Sequence, residues 1–287
     1  MRDRPPSHRP PSPWPSTAPA RPVEEPREAP PRRNTDEVRI YGFNACMAVF
    51  AKRPHDLRKV YLLESRLGDL KEVLAWCVQR RLGYRVVENL DLEKLTQTQH
   101  HEGICFEVRR RPPLTLSTLL QTLPPAPKPA LLLWLDGVGN PHNFGAVLRS
   151  AANFGAQGAL LPQDSALALS GAAFRVAEGG AESVSVAQFA PGEDVFGALH
   201  NAEFSIAATV PREGQSLYAA SLPPRLVIVL GAEGGGLRQG LIDRADLHLT
   251  IPGSGAVESL NVAASAAVLL SEYYRQQHAK HQHRERR

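Results

Sequence analysis

The segment from residue 251 to residue 274, IPGSGAVESLNVAASAAVLLSEYY, constrains the fold more than any other part of the chain. One proline and two glycines near its start interrupt regular structure and leave backbone groups that need other partners. Ser259 then stands as a favourable N-cap before an alanine-rich apolar run, which predicts a helix from Leu260 to Tyr274. Because nearly every face of this helix is apolar, we expect it to be buried against closely packed backbone. The polar Ser-Leu-Asn sequence at the N-terminus of this helix is interpreted either as a helix cap alone or as part of a binding site.

The length and composition predict a chain that buries a substantial core. It has 287 residues, of which 43% are apolar and 22% charged, enough for one large domain or two modest ones. It has no long uninterrupted apolar stretch, and prolines occupy the region where a signal peptide has its apolar core, so neither a membrane span nor export is expected. Cys46, Cys77 and Cys105 are scattered without metal-binding spacing, which predicts a reducing compartment, the cytoplasm, and no metal site.

Charge is distributed unevenly along the chain. Residues 38–111 carry 14 Lys and Arg against 9 Asp and Glu, a net charge of +5, whereas residues 112–277 carry 8 against 13, a net charge of −5. The basic tail, residues 278–287, carries 4 against 1, a net charge of +3. We expect the basic segments to bind a polyanion while the acidic segment performs another task. An unevenly charged solvated surface is the alternative interpretation.

Two segments are rich in proline. Residues 1–37 contain eleven prolines, no periodicity and almost no aliphatic side chains, which predicts a disordered arm. Residues 112–129 have proline at both ends and are predicted to form a linker. The two segments therefore divide the chain into a first domain, residues 38–111, and a second domain, residues 130–277.

The first domain alternates strand-like and helix-like patterns, which predicts a small α/β sandwich. His100 and His101 precede its last strand, and adjacent histidines can be metal ligands. Neighbouring side chains on an irregular segment point in different directions, however, and no cysteine or carboxylate pair completes a site. A loop that can face RNA is therefore favoured over a metal site.

The second domain begins with a buried strand, LLLWLD, that glycines and a proline end sharply. A helix is predicted from Asn143 to Gly155, with Arg149 nearly two turns inside it. Because helical side chains lean toward the N-terminus, we expect the guanidinium of Arg149 to reach the strand end and the Asn143 side chain, where α/β proteins bind ligands. The alternative is a partly buried arginine that pairs with Asp136 or with a carbonyl group.

A second strand, Leu226 to Leu230, leads into a glycine-rich turn from Gly231 to Gly236 that contains Glu233. Such a turn brings backbone amides close to a ligand. Its spacing matches neither the dinucleotide-binding fingerprint nor the phosphate-binding loop. The pattern therefore predicts a glycine-lined crevice with one carboxylate.

Three motifs in this order resemble the signature motifs of the SpoU (TrmH) family of RNA ribose 2′-O-methyltransferases, within the SPOUT superfamily: NPHNFGAVLRSAANFGA, LGAEGGGL and IPGSGAVESLNVAASAAVLL. Residues 38–111, from IYGFNA to HHEGICFEV, resemble the small RNA substrate-binding domain that many members carry. The resemblance implies an α/β fold, with a small N-terminal α/β sandwich before a parallel-sheet SPOUT methyltransferase domain that contains a deep trefoil knot. The residues alone would predict an ordinary doubly wound sheet, because knots are rare.

The resemblance also implies S-adenosyl-L-methionine as the cofactor, methylation of tRNA or rRNA, and a homodimer with the site at its interface. The family's backbone contacts with the cofactor fall on Gly231, Ile251 and Leu260. Its catalytic polar set falls on five residues, all present: Asn143, Arg149, Glu233, Ser259 and Asn261. The chain departs from the family at Gly253, where methionine is usual, and at Glu258, where serine is common. These departures concern the fit of the cofactor loop and the target, not the reaction class.

A ribose 2′-hydroxyl is a poor nucleophile, so its attack on a sulfonium methyl needs a proton acceptor and tight positioning. The equivalent of Arg149 has been proposed as the base in such families, although a guanidinium holds its proton tightly. We favour Arg149 as a clamp on the neighbouring phosphate and a stabiliser of alkoxide charge, oriented by Ser259 and Asn261. The sequence leaves both roles of Arg149 open, general base and electrostatic clamp. A noncatalytic RNA-binding paralogue is the alternative function, and it would be expected to lose the polar set.

Overall fold

The computed structural model describes residues 36–285, and the side chains of residues 36–278. The predicted arm, residues 1–37, lies outside the described residues except for its last two, and Glu37 already begins the first strand. Within the described residues, no helix combines the length and apolarity needed to cross a bilayer. The same residues contain no group of three or more His, Cys, Asp or Glu side chains placed to hold a metal ion.

A four-stranded sheet forms the N-terminal part of the described chain, in the spatial order β1-β4-β2-β3. Its strands are β1 (Glu37–Tyr41), β2 (Leu57–Leu62), β3 (Gly83–Val86) and β4 (Ile104–Arg109). Both β1 and β2 pair antiparallel with β4, while β3 pairs parallel with β2. Its helices are α1 (Phe43–Lys52), α2 (Lys71–Arg80) and α3 (Asn89–Thr96). The predicted α/β character of this part is confirmed.

An eight-stranded sheet forms the C-terminal part, in the order β10-β12-β9-β11-β6-β7-β8-β5, and its described strand pairs are parallel. Its strands are β5 (Leu114–Thr115), β6 (Ala130–Asp136), β7 (Gly158–Pro162), β8 (Ser185–Phe189), β9 (Ser205–Thr209), β10 (Gln215–Ser216), β11 (Arg225–Gly231) and β12 (Leu247–Thr250). Its helices are α4 (Leu116–Thr122), α5 (Pro141–Asn153), α6 (Gly171–Ala177), α7 (Val195–Asn201), α8 (Gln239–Ile242) and α9 (Val262–Glu285). The predicted parallel sheet is confirmed.

The segment predicted as a linker, residues 112–129, contributes to the larger sheet. Leu114 in β5 pairs with Ala187 in β8, and α4 follows directly. The side chain of Thr115 caps α4, and Leu116 and Leu119 are buried beneath it. The sequence did not predict this helix. Prolines at both ends of the segment are typical of a linker, and a helix of two turns has too little apolar periodicity to be recognised. The segment is therefore an integral part of the fold rather than a spacer.

One apolar core joins the two sheets. Its fully buried members come from both, among them Ile40, Val60, Leu133 and Ile228. Helix α6 packs so closely against β1 that a Cβ atom added to Gly171 would lie 2.5 Å from the carbonyl oxygen of Arg39. Such a distance leaves no room for any side chain larger than hydrogen at this position. Helix α6 and β1 are therefore in direct contact at this point of the junction.

A buried ion pair crosses the same junction. The guanidinium of Arg53, just after α1, donates to both carboxylate oxygens of Glu182 at 2.7–3.0 Å. Its remaining nitrogen donates to the carbonyl oxygen of Arg109 at 2.9 Å. Both side chains are at least nine-tenths buried, with exposed fractions of 4% and 6%. The hydrogen bonds of Arg53 and Glu182 to protein groups therefore replace almost all of their hydrogen bonds to water.

Helix α9 begins two residues later than predicted. Its N-cap is Asn261, whose side-chain oxygen accepts from the backbone N–H of Ala263 at 2.9 Å. The predicted cap, Ser259, is exposed and lies outside the helix, because the chain stays irregular through residue 260. Along residues 262–278 the helix buries one face rather than all of its surface, and its backbone continues through most of the predicted tail, residues 278–287, as far as Glu285.

Candidate active site

The candidate site lies where the carboxyl ends of β6 and β11 meet. The two strands are neighbours in register, with Gly231 opposite Asp136. The turn after β11 and the irregular segment after β12 reach the same edge, since Glu233 and Asn261 are in contact there. Loops at the carboxyl ends of parallel strands are the usual place for ligand binding in α/β proteins.

Three of the five predicted catalytic side chains form one cluster. The amide nitrogen of Asn143, in the first turn of α5, donates to Glu233 Oε1 at 3.0 Å. The amide nitrogen of Asn261 donates to the same carboxylate oxygen and to Asn143 Oδ1, the latter at 3.2 Å. Because Asn261 Oδ1 is engaged in capping α9, the orientation of this amide is fixed by both interactions. Glu233 therefore holds two amides that come from different motifs.

The glycine-rich turn folds back on itself. Ala232 and Gly236 exchange two backbone hydrogen bonds, of 3.2 and 3.0 Å. A Cβ atom added to Gly231 would lie 2.5 Å from the carbonyl oxygen of Gly236 and 2.7 Å from the backbone nitrogen of Leu237. Glycine at position 231 is therefore required by the turn's own backbone.

Arg238 was not among the predicted site residues, yet it fastens this turn to β6. Its guanidinium donates to both oxygens of Asp136, at 2.7 and 3.1 Å. The carboxylate is buried, with 7% of its side chain exposed, whereas 68% of the Arg238 side chain is exposed. The alternative interpretation, in which a partly buried Arg149 pairs with Asp136, is wrong, because Asp136 pairs with Arg238 and Arg149 is exposed. No signal in the sequence distinguishes Arg238 from other surface arginines.

Arg149 is exposed and lies apart from the cluster. Within the described part of the chain, its side chain makes no hydrogen bond to Asn143 or Glu233. Arg149 is six positions after Asn143 in α5, which places the two about 120° apart around the helix axis. The expectation that the guanidinium reaches Asn143 is therefore not met.

The remaining predicted residues lie along the irregular segment after β12. Ile251 is half-buried, whereas Ser259 and Leu260 are exposed, Leu260 by 46%. Within the described residues, the Ser259 hydroxyl has no hydrogen-bond partner. Residues 251–260 also make no backbone hydrogen bond to other described backbone groups. Apart from the Ala256 N–H, which donates to Ser254 Oγ at 3.4 Å, their N–H and C=O groups are thus available to a ligand, as the assignment of backbone contacts requires.

We expect Gly231→Ala to weaken binding of S-adenosylmethionine, the cofactor implied by the resemblance, by about tenfold to a hundredfold. The added Cβ must displace the backbone at Gly236, and such overpacking costs about 1–3 kcal/mol. The matched control is Gly235→Ala, where no atom lies within 4 Å of the added Cβ. Titration calorimetry measures both affinities. Equal affinity in the two variants would remove Gly231 from the site.

Comparison with known proteins identifies related chains. The model of the SpoU rRNA Methylase family matches residues 130–271, and the model for RNA 2′-O ribose methyltransferase substrate binding matches residues 39–114. The uncharacterized tRNA/rRNA methyltransferase YfiF of Escherichia coli O157:H7 is 38% identical over 251 residues, covering 86% of this chain and 71% of YfiF. The 23S rRNA (guanosine-2′-O-)-methyltransferase RlmB of Nitrosomonas europaea is 35% identical over 242 residues, covering 83% of this chain and 91% of RlmB.

A solved structure has the same fold. The SpoU methyltransferase AviRb from Streptomyces viridochromogenes, in complex with the cofactor AdoMet, superimposes with a TM-score of 0.69 at 19% sequence identity. The match covers 84% of this chain and 91% of AviRb. Together with the family matches and the relatives above, it leads to one conclusion: this chain belongs to the SpoU family of RNA methylases.

Proposed function

We propose that this protein transfers a methyl group from S-adenosylmethionine to a ribose 2′-hydroxyl of RNA, with ribosomal RNA as the first candidate substrate. One observation carries the proposal: residues of three separate motifs, Asn143, Glu233 and Asn261, form a single hydrogen-bonded cluster at the carboxyl ends of β6 and β11. A noncatalytic RNA-binding paralogue has no need of such a cluster. The choice of rRNA rests on RlmB, a 23S rRNA guanosine methyltransferase by name. Transfer RNA is the second candidate, since the name of YfiF includes both substrates.

Residues in two segments fit the cofactor. The turn after β11 and residues 251–260 offer unpaired or solvent-facing backbone groups at one edge of the sheet. Gly231, Ile251 and Leu260 belong to these segments, and we assign their backbone groups to the cofactor. When bound, S-adenosylmethionine supplies an electrophilic methyl group on a sulfonium centre. The Arg238–Asp136 pair holds the first segment in place from the side of β6.

The chain's own residues then orient the ribose and accept its charge. Glu233 fixes the amides of Asn143 and Asn261, so that their polar groups are preorganised rather than mobile. Arg149 is exposed, and its guanidinium is not hydrogen-bonded to other described residues, so its N–H donors are available to a phosphate. We therefore assign Arg149 to the phosphate next to the reacting ribose and to the developing alkoxide. The alternative role of general base stays open.

The basic segment at residues 38–111, with its net charge of +5, is the proposed RNA-binding surface.

We further propose a homodimer. In its support, α9 buries one face only, and Leu260 and Tyr274 are 46% and 40% exposed. We also propose the family's trefoil knot, supported by the contact between the start of α9 and Glu233 in an earlier loop. A cytoplasmic location is proposed on the three cysteines, which are free and buried.

The test is methyl transfer from radiolabelled S-adenosylmethionine to total rRNA and total tRNA, both prepared from a strain that lacks the gene. We expect label in rRNA, at a nucleotide whose 2′-O-methylation blocks alkaline cleavage. RNA from the parent strain, already methylated at that position, is the control and should accept little label. Label in tRNA alone would replace the first substrate by the second. Label in neither, with RNA still bound, would favour the noncatalytic paralogue.

A further inference from the structure

Arg238 lies at the same edge of the sheet as the candidate site. The backbone nitrogen of its neighbour, Leu237, is 2.7 Å from the place that a Cβ atom on Gly231 would occupy. Its carboxylate partner, Asp136, stands opposite Gly231 in the register of β6 and β11. The side chain of Arg238 therefore begins beside the glycine whose backbone we assign to the cofactor.

The guanidinium of Arg238 is only partly engaged by the protein. Its Nε and Nη2 atoms donate to the two oxygens of Asp136, at 3.1 and 2.7 Å, in a side-on bidentate pair. Its Nη1 atom makes no hydrogen bond to any other described residue, and 68% of the side chain is exposed. The pair thus fixes the plane of the guanidinium and leaves Nη1 without a protein partner.

The burial of Asp136 makes this pair different from an ordinary surface pair. Arg244 and Asp194 form a surface pair at 3.3 Å, with 57% and 72% of the two side chains exposed. Such a pair rearranges easily, because each partner can return to water. The Asp136 side chain is only 7% exposed and depends on Arg238 for its charge compensation. Arg238 is therefore held in one orientation, although most of its side chain is exposed.

A guanidinium held in this way suits an oxyanion. Its planar N–H donors fit carboxylates and phosphates at more than one edge, so one arginine can serve two anions at once. Because Asp136 already fixes the side chain, little further conformational entropy is lost when an anion binds at Nη1. Residues 112–277 carry a net charge of −5, so an anion that reaches this edge needs a local cation.

We propose that Arg238 binds an oxyanion of the reactants through Nη1 while Asp136 holds it in place. The anion is either the carboxylate of S-adenosylmethionine or a phosphodiester of the RNA, and both present singly charged oxygens to the same donors. The proposal rests on the proposed function and adds to it a second arginine, besides Arg149, that contacts a reactant.

The test compares Arg238→Lys with Arg244→Lys in three binding measurements. Lysine at position 238 still offers a charge to Asp136, but a single ammonium group lacks the planar fork that serves two anions. Calorimetry gives the affinities for S-adenosylmethionine and for methylthioadenosine, which has no carboxylate. Filter binding gives the affinity for rRNA from the strain that lacks the gene. Melting temperatures establish that both variants are folded.

We expect Arg238→Lys to bind one of the two anionic reactants about tenfold more weakly than Arg244→Lys does, as the loss of a charge-assisted hydrogen bond predicts. Weaker binding of S-adenosylmethionine, with methylthioadenosine unaffected, identifies the cofactor carboxylate. Weaker binding of rRNA, with both nucleosides unaffected, identifies an RNA phosphate.

Two results would overturn the proposal. Equal losses of affinity for S-adenosylmethionine and methylthioadenosine would mean that Arg238 only holds the turn. Three affinities equal to those of Arg244→Lys would mean that Arg238 contacts neither reactant. Both results concern binding, so they differ from a failure of the proposed function, which is the absence of methyl transfer by the parent protein.

Discussion

Replacing Arg149 by alanine is expected to lower methyl transfer by about a hundredfold to a thousandfold, with little change in the affinity for S-adenosylmethionine. The guanidinium is exposed and free of hydrogen bonds to other described residues, so its contribution is made to the substrate rather than to the fold. A donor aimed at charge that develops in the transition state has an effect of this size. Single-turnover transfer and calorimetry measure the two quantities separately.

Arg149→Lys distinguishes the two roles left open for this residue. Lysine keeps a point charge but loses the planar pair of donors, so a residual rate that is flat with pH indicates an electrostatic clamp. A rate that rises with pH as the lysine loses its proton indicates a base. Methylation by Arg149→Ala at the parent rate would contradict the assignment of this residue, and with it the proposed arrangement of the site.

Glu182→Ala is expected to destabilise the protein by about 3–5 kcal/mol, because it leaves the buried guanidinium of Arg53 without its main partner. Two weaker acceptors of Arg53 are retained, the Arg109 carbonyl oxygen at 2.9 Å and Asp56 Oδ2 at 3.4 Å, and they offset only part of the loss. Urea unfolding of the parent and the variant, followed by circular dichroism, measures the free energy of unfolding.

A matched control for this prediction is Glu272→Ala in α9. Glu272 is buried to a similar degree, with 7% of its side chain exposed, but its partner Arg275 is 64% exposed and can return to water. We therefore expect a clearly smaller loss than in Glu182→Ala. Replacing Arg53 and Glu182 together by methionine and leucine should recover most of the lost stability, because no unpaired charge is left. Equal losses in Glu182→Ala and Glu272→Ala would contradict the role given to burial.

Local signals in the sequence were sufficient for the main strands. Continuous apolar runs followed by glycine or proline predict β6 and β11, and the structure has both strands buried. The short strand and helix within residues 112–129 escaped prediction, because prolines at both ends resemble a linker and two turns carry little periodicity. Pairs such as Arg53 and Glu182, 129 residues apart, leave no local pattern at all.

The sequence predicted which residues form the site better than it predicted how they are arranged. The resemblance assigned Asn143, Glu233 and Asn261, and these three do meet. The cap of α9 was placed on Ser259 because serine before an apolar run is a strong signal, whereas Asn261 competes successfully by accepting from Ala263. The separation of Arg149 from Asn143 follows from helix geometry alone, since positions six residues apart do not share a face.

Asn261 takes part in two interactions at once, and these determine when the site can form. Its side chain caps α9 and also joins Asn143, which lies 118 residues earlier in the chain. While the chain is being synthesised, β6, α5 and β11 emerge from the ribosome before this asparagine does. The loops that should bind the cofactor therefore lack their closing contact until α9 has formed. We therefore expect the site to be complete only after α9 has formed, late in the folding of the described chain.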